Sequence, residues 1–167
     1  MKQKKLKIGI SACLMGFRYR YDGLSKLDRR VIEALDGKVD LIPVCPEVEC
    51  GLEIPRPKMR LEATSRGTRM KVIESGEDMT DRMIAWADHK LEQLSERDIT
   101  AFLFKSKSPS CGLASTKVFC NGGNRLMSEC GTGIFAKVLT TRFPRMIVGE
   151  ELDLDEFLKR LGLDESF

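Results

Sequence analysis

The chain contains 167 residues, with 28 basic and 25 acidic side chains that give a formal net charge of +3 at pH 7. This length suits one domain that buries more than about 65% of the surface its unfolded chain would expose, so we expect residues 1–167 to form a single domain. The charge is too small to indicate a nucleic-acid-binding surface by itself. The apolar runs are far shorter than the roughly 20 residues that cross a bilayer, and the basic N-terminus lacks a secretory cleavage pattern. We therefore expect a cytoplasmic protein with no membrane partner.

The first elements are typical of a β-α-β unit. Apolar side chains alternate with other residues over positions 6–12, and the segment ends in small side chains. This pattern predicts a strand that runs directly into Cys13. A loop follows, and Ser25 is predicted to cap a helix that ends near Leu35. Residues 40–44 are apolar and β-branched, which predicts a second, buried strand.

A cysteine and a carboxylate follow that second strand. Pro46 ends the strand because proline has no amide hydrogen for a sheet, so Cys45 and Glu47 lie just past its carboxyl end. This edge of an open α/β sheet is where ligands bind. Prolines and glycines in residues 48–68 then predict a long ordered loop.

Predicted strands and helices continue to alternate in the second half of the chain. Residues 70–74 are predicted to form a short strand, and Thr80 to cap a helix that ends near Arg97. Residues 100–104 carry the strongest strand signal, and Cys111 lies just beyond them. The remaining predicted elements are an excursion from residue 118 that turns at 121–124, a helix opened by Gly131-Thr-Gly133, a strand over 146–148 and a helix over 153–161. The pattern predicts an α/β, Rossmann-like layered fold with a mostly parallel sheet.

Three of the six cysteines, Cys13, Cys45 and Cys111, each follow a predicted strand. If those strands are parallel neighbours, their carboxyl ends meet at one crevice and the three thiols come together. Three thiolates with an empty fourth position form an open metal site, which suits either catalytic zinc or an iron–sulfur cluster with one free iron. The pattern alone does not name the metal.

Short motifs along nearly the whole chain point to a family. They are Ile10-Ser-Ala-Cys-Leu14, Arg20-Tyr-Asp-Gly23, Pro43-Val-Cys-Pro-Glu-Val48, Gly76-Glu-Asp-Met-Thr80 and Lys105-Ser-Lys-Ser-Pro-Ser-Cys-Gly112. In this order they resemble the thiouracil desulfurase family, long described only as a bacterial domain of unknown function. The Cys-Pro-Glu and Ser-Pro-Ser-Cys-Gly motifs are the specific part of the resemblance.

The resemblance implies that Cys13, Cys45 and Cys111 hold a [4Fe-4S] cluster and that Glu47 and Ser108 are catalytic. It implies a non-redox desulfurase that replaces the sulfur of a thiolated pyrimidine, such as 2-thiouracil, with oxygen and releases sulfide. Glu47 would activate a water, and Ser108 would position the substrate or pass a proton to its ring. The substrate could be the free base, a nucleoside or thiolated transfer RNA, and cluster-assembly proteins would be partners.

Three more side chains, Asp22, Arg56 and Ser110, are candidates for contacting the substrate, although a turn or a solvated loop also explains each of them. Cys50, Cys120 and Cys130 are extra thiols. We expect Cys50 to be a spectator, because free cysteine packs as a small hydrophobic residue. The segment between Cys50 and Arg56 has the spacing of a thiol phosphatase loop but is poor in the glycines whose amides would bind phosphate.

Two other functions remain open from the sequence. The same three cysteines could hold a structural zinc or iron–sulfur cluster in a protein without enzymatic activity. Cys45 and Cys50 could instead carry out thiol–disulfide exchange, which would need no iron.

Overall fold

The computed structural model describes residues 4–164. Within them the strands are β1 (Leu6–Ser11), β2 (Val39–Val44), β3 (Met59–Thr64), β4 (Gly67–Val72), β5 (Ala101–Phe104), β6 (Thr116–Cys120), β7 (Leu126–Gly131) and β8 (Ile147–Glu150). The α-helices are α1 (Arg29–Leu35), α2 (Pro46–Glu49), α3 (Thr80–Glu96), α4 (Ile134–Arg142) and α5 (Leu154–Arg160). None of the helices described is both long and apolar enough to cross a membrane.

The first sheet, sheet A, confirms the predicted parallel arrangement. Its strand order is β2-β1-β5-β8, and every neighbouring pair is parallel. The carboxyl ends of all four strands therefore lie along one edge, which we call the carboxyl edge of sheet A.

Sheet A is covered on both faces, as parallel sheets usually are. Every residue of β5 is fully buried. Phe102 and Phe104 contribute to a core shared with α3, α4 and the second sheet, whereas Ala101 and Leu103 face a core shared with α1 and α5. Because successive side chains of a strand point to opposite faces, this short strand joins the two cores.

The second sheet, sheet B, was not predicted as a unit. Its order is β4-β3-β6-β7, in which β3 and β6 are parallel and the other pairs are antiparallel. The prediction of a loop over 48–68 is wrong from residue 59 onward, because Met59 and Leu61 alternate with Arg60 in the period of a half-buried strand. The predicted excursion around 121–124 is the β6–β7 turn.

Two predicted helix caps are also wrong. Asp28, rather than Ser25, caps α1, and its Oδ1 accepts hydrogen bonds from the amides of Arg30 and Val31. The Thr80 hydroxyl accepts a hydrogen bond from the Met70 amide at 2.8 Å, so it joins α3 to β4 instead of capping α3.

Candidate active site

Three cysteines lie at the carboxyl edge of sheet A. Cys13 follows β1, Cys45 follows β2, and Cys111 lies in the loop after β5. Since β1 is hydrogen-bonded to both β2 and β5, these strand ends are neighbours. All three thiols are free, so the topology brings distant cysteines to one edge of the sheet.

The three thiols influence one another electrostatically. Burial raises the pKa of Cys45 to about 11, and the charge of Cys13 adds to this rise. Burial also raises the pKa of Cys111, with further contributions from Cys13 and Cys45. Burial raises the pKa of Cys13 as well, against the opposing charges of Lys105 and Arg20.

This donor set fits a soft metal centre, because thiolate sulfur selects iron–sulfur clusters and zinc. Buried thiols bear a high cost for losing their protons unless a cation takes the proton's place. As the side chains are placed, no three His, Cys, Asp or Glu residues within 4–164 converge tightly enough to hold a single metal ion.

A chain of hydrogen bonds links the two predicted catalytic residues. Ser110, which is 1% exposed, donates from its hydroxyl to Oε2 of Glu47 at 2.9 Å. The hydroxyl oxygens of Ser108 and Ser110 are 3.0 Å apart. Glu47 and Ser108 are therefore connected through Ser110.

The direction of this chain follows from proton counting. A serine hydroxyl has one hydrogen to donate, and for that of Ser110 the Glu47 carboxylate at 2.9 Å is a stronger acceptor than the Cys111 sulfur at 3.8 Å. Ser108 must therefore supply the hydrogen between the two serines. Its Oγ also accepts from the amides of Ser110 at 3.2 Å and Cys111 at 3.1 Å, which fixes the hydroxyl beside the cysteine.

Arg56 holds the other oxygen of Glu47. Its Nε lies 3.1 Å from Oε1 of Glu47, and the Arg56 side chain is only 6% exposed. The remaining guanidinium nitrogens donate to the carbonyls of Glu53 at 3.1 Å and Tyr19 at 2.8 Å. The two oxygens of Glu47 thus have separate partners, which fixes the plane of the carboxylate.

Cys45 and Cys50 lie at opposite ends of α2. The Cys45 amide donates to Oε2 of Glu49 at 2.8 Å, and Oε1 of Glu49 pairs with Lys90 at 2.7 Å. The Cys50 thiol donates to the carbonyl of Glu47 at 3.3 Å. Cys50 is free and half-buried.

Comparison with known proteins gives the family. The model of the 2-thiouracil desulfurase family matches residues 8–151. The chain belongs to this family. The uncharacterized protein YbbK of Bacillus subtilis strain 168 is 30% identical over 149 residues, which cover 86% of this chain and 96% of YbbK. A solved structure described as the [4Fe-4S]-dependent thiouracil desulfidase TudS shares 32% identity and superposes with a TM-score of 0.74, covering 97% of this chain and 100% of TudS.

The family match includes two carboxylates that the sequence analysis missed. The carboxylate of Glu151, which is 5% exposed, accepts from Lys105 Nζ at 2.7 Å and from the Ser106 amide at 2.8 Å. Glu150 accepts from the Leu113 amide at 2.8 Å. These residues hold both ends of the loop that carries Cys111, and two adjacent acidic residues after a predicted strand were the only signal for them.

The start of α4 packs directly on the same loop. The amides of Ile134 and Ala136 donate to the carbonyls of Pro109 at 3.0 Å and Ser110 at 3.1 Å. A Cβ at Gly133 would lie 2.6 Å from the Cys111 amide nitrogen, closer than folded proteins allow. Gly133 is therefore required for α4 to support the cysteine loop.

Asp22 lies in the loop between β1 and α1. Its Oδ1 accepts from the Leu24 amide at 3.0 Å and lies 3.6 Å from Arg20 Nε. The predicted substrate residues Ser110 and Arg56 thus contact Glu47 directly, whereas Asp22 contacts Arg20.

Proposed function

We propose that this protein is a [4Fe-4S]-dependent desulfurase that converts a thiolated pyrimidine, such as 2-thiouracil, to its oxo form and releases sulfide. The observation that carries this proposal is the Ser108–Ser110–Glu47 hydrogen-bond chain, which lies at the same edge of sheet A as the three cysteines. A purely structural metal site needs the thiols but has no use for an oriented carboxylate and hydroxyl next to them. The family match and the similarity to TudS support the enzymatic function.

Cys13, Cys45 and Cys111 would hold the cluster. When bound by three thiolates, such a cluster leaves one iron free to act as a Lewis acid toward the thiocarbonyl sulfur. The buried, neutral thiols would lose their protons as the cluster binds, so the affinity of the protein for the cluster depends on pH.

Glu47 would act as the general base. It takes one proton from a water whose oxygen forms a bond to the thiocarbonyl carbon. It returns that proton to the sulfur as the carbon–sulfur bond breaks, and the second water proton passes to solvent as the ring carbonyl forms. The sulfur leaves as hydrosulfide, so one water is consumed and no electrons are transferred. Arg56 holds the carboxylate in place for this step.

Ser108 would position the substrate or pass a proton to its ring. Its oxygen is held by two backbone amides and its hydrogen is donated to Ser110, so the oxygen stays in place and only the hydroxyl hydrogen would turn toward the substrate ring. Ser110 gives a route for a proton between Ser108 and Glu47.

The substrate is a free thiolated base, a thiolated nucleoside or a thiolated transfer RNA, and cluster-assembly proteins supply the iron–sulfur group. We propose that the reaction takes place in the cytoplasm and that the whole chain acts as one domain, which is supported by the two cores that meet at β5.

The first test measures iron and acid-labile sulfide after anaerobic reconstitution. We expect about four irons per chain in the wild type, a large loss in Cys111→Ser and no loss in the matched control Cys130→Ser, since Cys130 is exposed. Mass spectrometry after alkylation provides a second measurement, in which the cluster protects Cys13, Cys45 and Cys111 but not Cys130. Equal iron in all three proteins would contradict the assigned ligands.

The second test measures sulfide release from 2-thiouracil by reconstituted protein. We expect Glu47→Gln to lower kcat by about 10²- to 10⁴-fold with unchanged iron content, whereas Glu53→Gln, an exposed carboxylate on the neighbouring loop, has no effect. A reconstituted wild type that releases no sulfide from any thiolated pyrimidine would favour the structural metal site. Activity without iron would favour thiol exchange between Cys45 and Cys50.

A further inference from the structure

The guanidinium of Arg20 contains an unpaired buried donor. Within residues 4–164, its Nε is the only buried side-chain nitrogen or oxygen without a hydrogen-bond partner. Asp22 Oδ1 is 3.6 Å away, which is an ion pair but too long for a good hydrogen bond. Native proteins seldom leave such a donor unsatisfied. Nε itself is closed to solvent, but the Arg20 side chain as a whole is 25% exposed, so a ligand would reach the guanidinium through its terminal nitrogens.

The backbone on both sides of Arg20 is tied to the proposed general base. The Tyr19 carbonyl accepts from Nη2 of Arg56 at 2.8 Å, and the Tyr21 carbonyl accepts from the Arg56 amide at 2.9 Å. Since Arg56 also binds Glu47, Arg20 is held on a loop that is anchored at the site.

Arg20 and Asp22 present a donor and an acceptor side by side. The Leu24 amide donates to Oδ1 of Asp22 at 3.0 Å, and this hydrogen bond lowers the pKa of the Asp22 carboxyl. Oδ2 of Asp22 makes no hydrogen bond within the described part of the chain. The Arg20 guanidinium also lies 5.7 Å from the centre of the Tyr21 ring, which further restrains it.

This pair is complementary to one edge of a thiolated pyrimidine. In 2-thiouracil the ring carbonyl at C4 is an acceptor, and the adjacent N3–H is a donor. We propose that Arg20 donates to this ring carbonyl and that Asp22 accepts from the neighbouring N–H, so that the pair selects pyrimidines with an oxo group beside the ring N–H. This inference rests on the proposed desulfurase function and adds a residue and an atom of the substrate to it.

The test removes each partner of the contact separately. Sulfide release is compared on 2-thiouracil and on 3,4-dihydropyrimidine-2(1H)-thione, which lacks the C4 carbonyl but keeps the N3–H, using wild type, Arg20→Met and the control Arg18→Met. Arg18 is exposed and lies on the same loop. We expect the wild type to lose about 10- to 100-fold in kcat/KM when the carbonyl is absent, the range for a hydrogen bond to a charged group.

Arg20→Met should show the same loss on 2-thiouracil and little further loss on the dihydropyrimidine-thione, while Arg18→Met behaves as wild type. A second measurement uses cluster-free protein and calorimetric titration with uracil. We expect Arg20→Met to weaken uracil binding by about 10-fold or more and Arg18→Met to leave it unchanged.

Two outcomes would overturn the proposal. Equal losses on both substrates in Arg20→Met would mean that the arginine does not contact the carbonyl. If Arg20→Met binds uracil as tightly as the wild type but is inhibited less by hydrosulfide, the guanidinium contacts the leaving sulfide and not the ring carbonyl. An inactive, fully reconstituted wild type would contradict the desulfurase function itself. This result differs from a failure of the Arg20 contact, in which the wild type stays active.

Discussion

The Ser110 hydroxyl donates a hydrogen bond to the Glu47 carboxylate over 2.9 Å, although 63 positions separate the two residues in the chain. The contact joins α2, which directly follows β2, to the loop after β5. It places one continuous hydrogen-bond chain beside the cysteines, so the orientation of the proposed base depends on the same loop that carries Cys111.

We predict that Ser108 and Ser110 act as one unit. Ser108→Ala and Ser110→Ala should each lower kcat by about 10- to 100-fold, and the double variant should be no slower than the slower single variant, because groups of one relay are not additive. Sulfide release at saturating 2-thiouracil and equal iron content measures this. Ser95→Ala, on the exposed side of α3, is the control, and independent, multiplying effects would show that the serines do not form a relay.

Arg56 should contribute strongly to stability. Its side chain is 6% exposed and that of Glu47 15%, so Arg56→Met leaves a largely buried carboxylate without its cation. We expect the free energy of unfolding of the cluster-free protein to fall by about 3 kcal/mol in chemical denaturation. Arg82→Met, whose exposed guanidinium donates to the Cys50 and Gly51 carbonyls, should cost less than about 1.5 kcal/mol; equal costs for the two variants would contradict the prediction.

Lys105 and Glu151 should show energetic coupling. Nζ of Lys105 lies 2.7 Å from Oε1 of Glu151, and their side chains are 18% and 6% exposed. Glu151→Gln is expected to lower the free energy of unfolding by about 2–4 kcal/mol, and a double-mutant cycle with Lys105→Met should give a coupling of about 1–3 kcal/mol. Lys107→Met, an exposed neighbour in the same loop, should be neutral. Additive costs would show that the ion pair does not hold the loop.

Asp78 should make stability depend on pH in the acid range. Burial opposes its ionised form, but hydrogen bonds from Arg69 and the Thr80 amide outweigh this effect and lower its pKa from 3.8 to about 2. Because the folded pKa lies below the unfolded one, the stabilisation is complete above pH 3.8 and is lost as pH falls toward about 2.

The measurement for Asp78 is urea denaturation of cluster-free wild type and Asp78→Asn across this range. Asp78→Asn should be the less stable protein at neutral pH, and the difference should shrink as the wild-type carboxyl becomes protonated. A difference that is constant from pH 6 to about pH 2 would mean that Asp78 does not titrate as described.

The amino-acid sequence by itself determined the alternating strands and helices of sheet A and the cysteine that follows each of three strands. These features are local, because apolar periodicity and the prolines after a strand act within a few residues. It also located Glu47, Ser108 and Ser110 in motifs next to those cysteines.

Only the tertiary structure decided which residues become partners. Sheet B was not predicted because β3 is stabilised by pairing with β4 and β6, whereas the prolines and glycines before β3 favoured a loop. The contacts of Glu47 with Ser110 and Arg56, and of Glu151 with Lys105, depend on the spatial order of the strands. Hydrogen bonds and ion pairs between distant segments have no sequence period, so they are seen only once the sheet has brought those segments together.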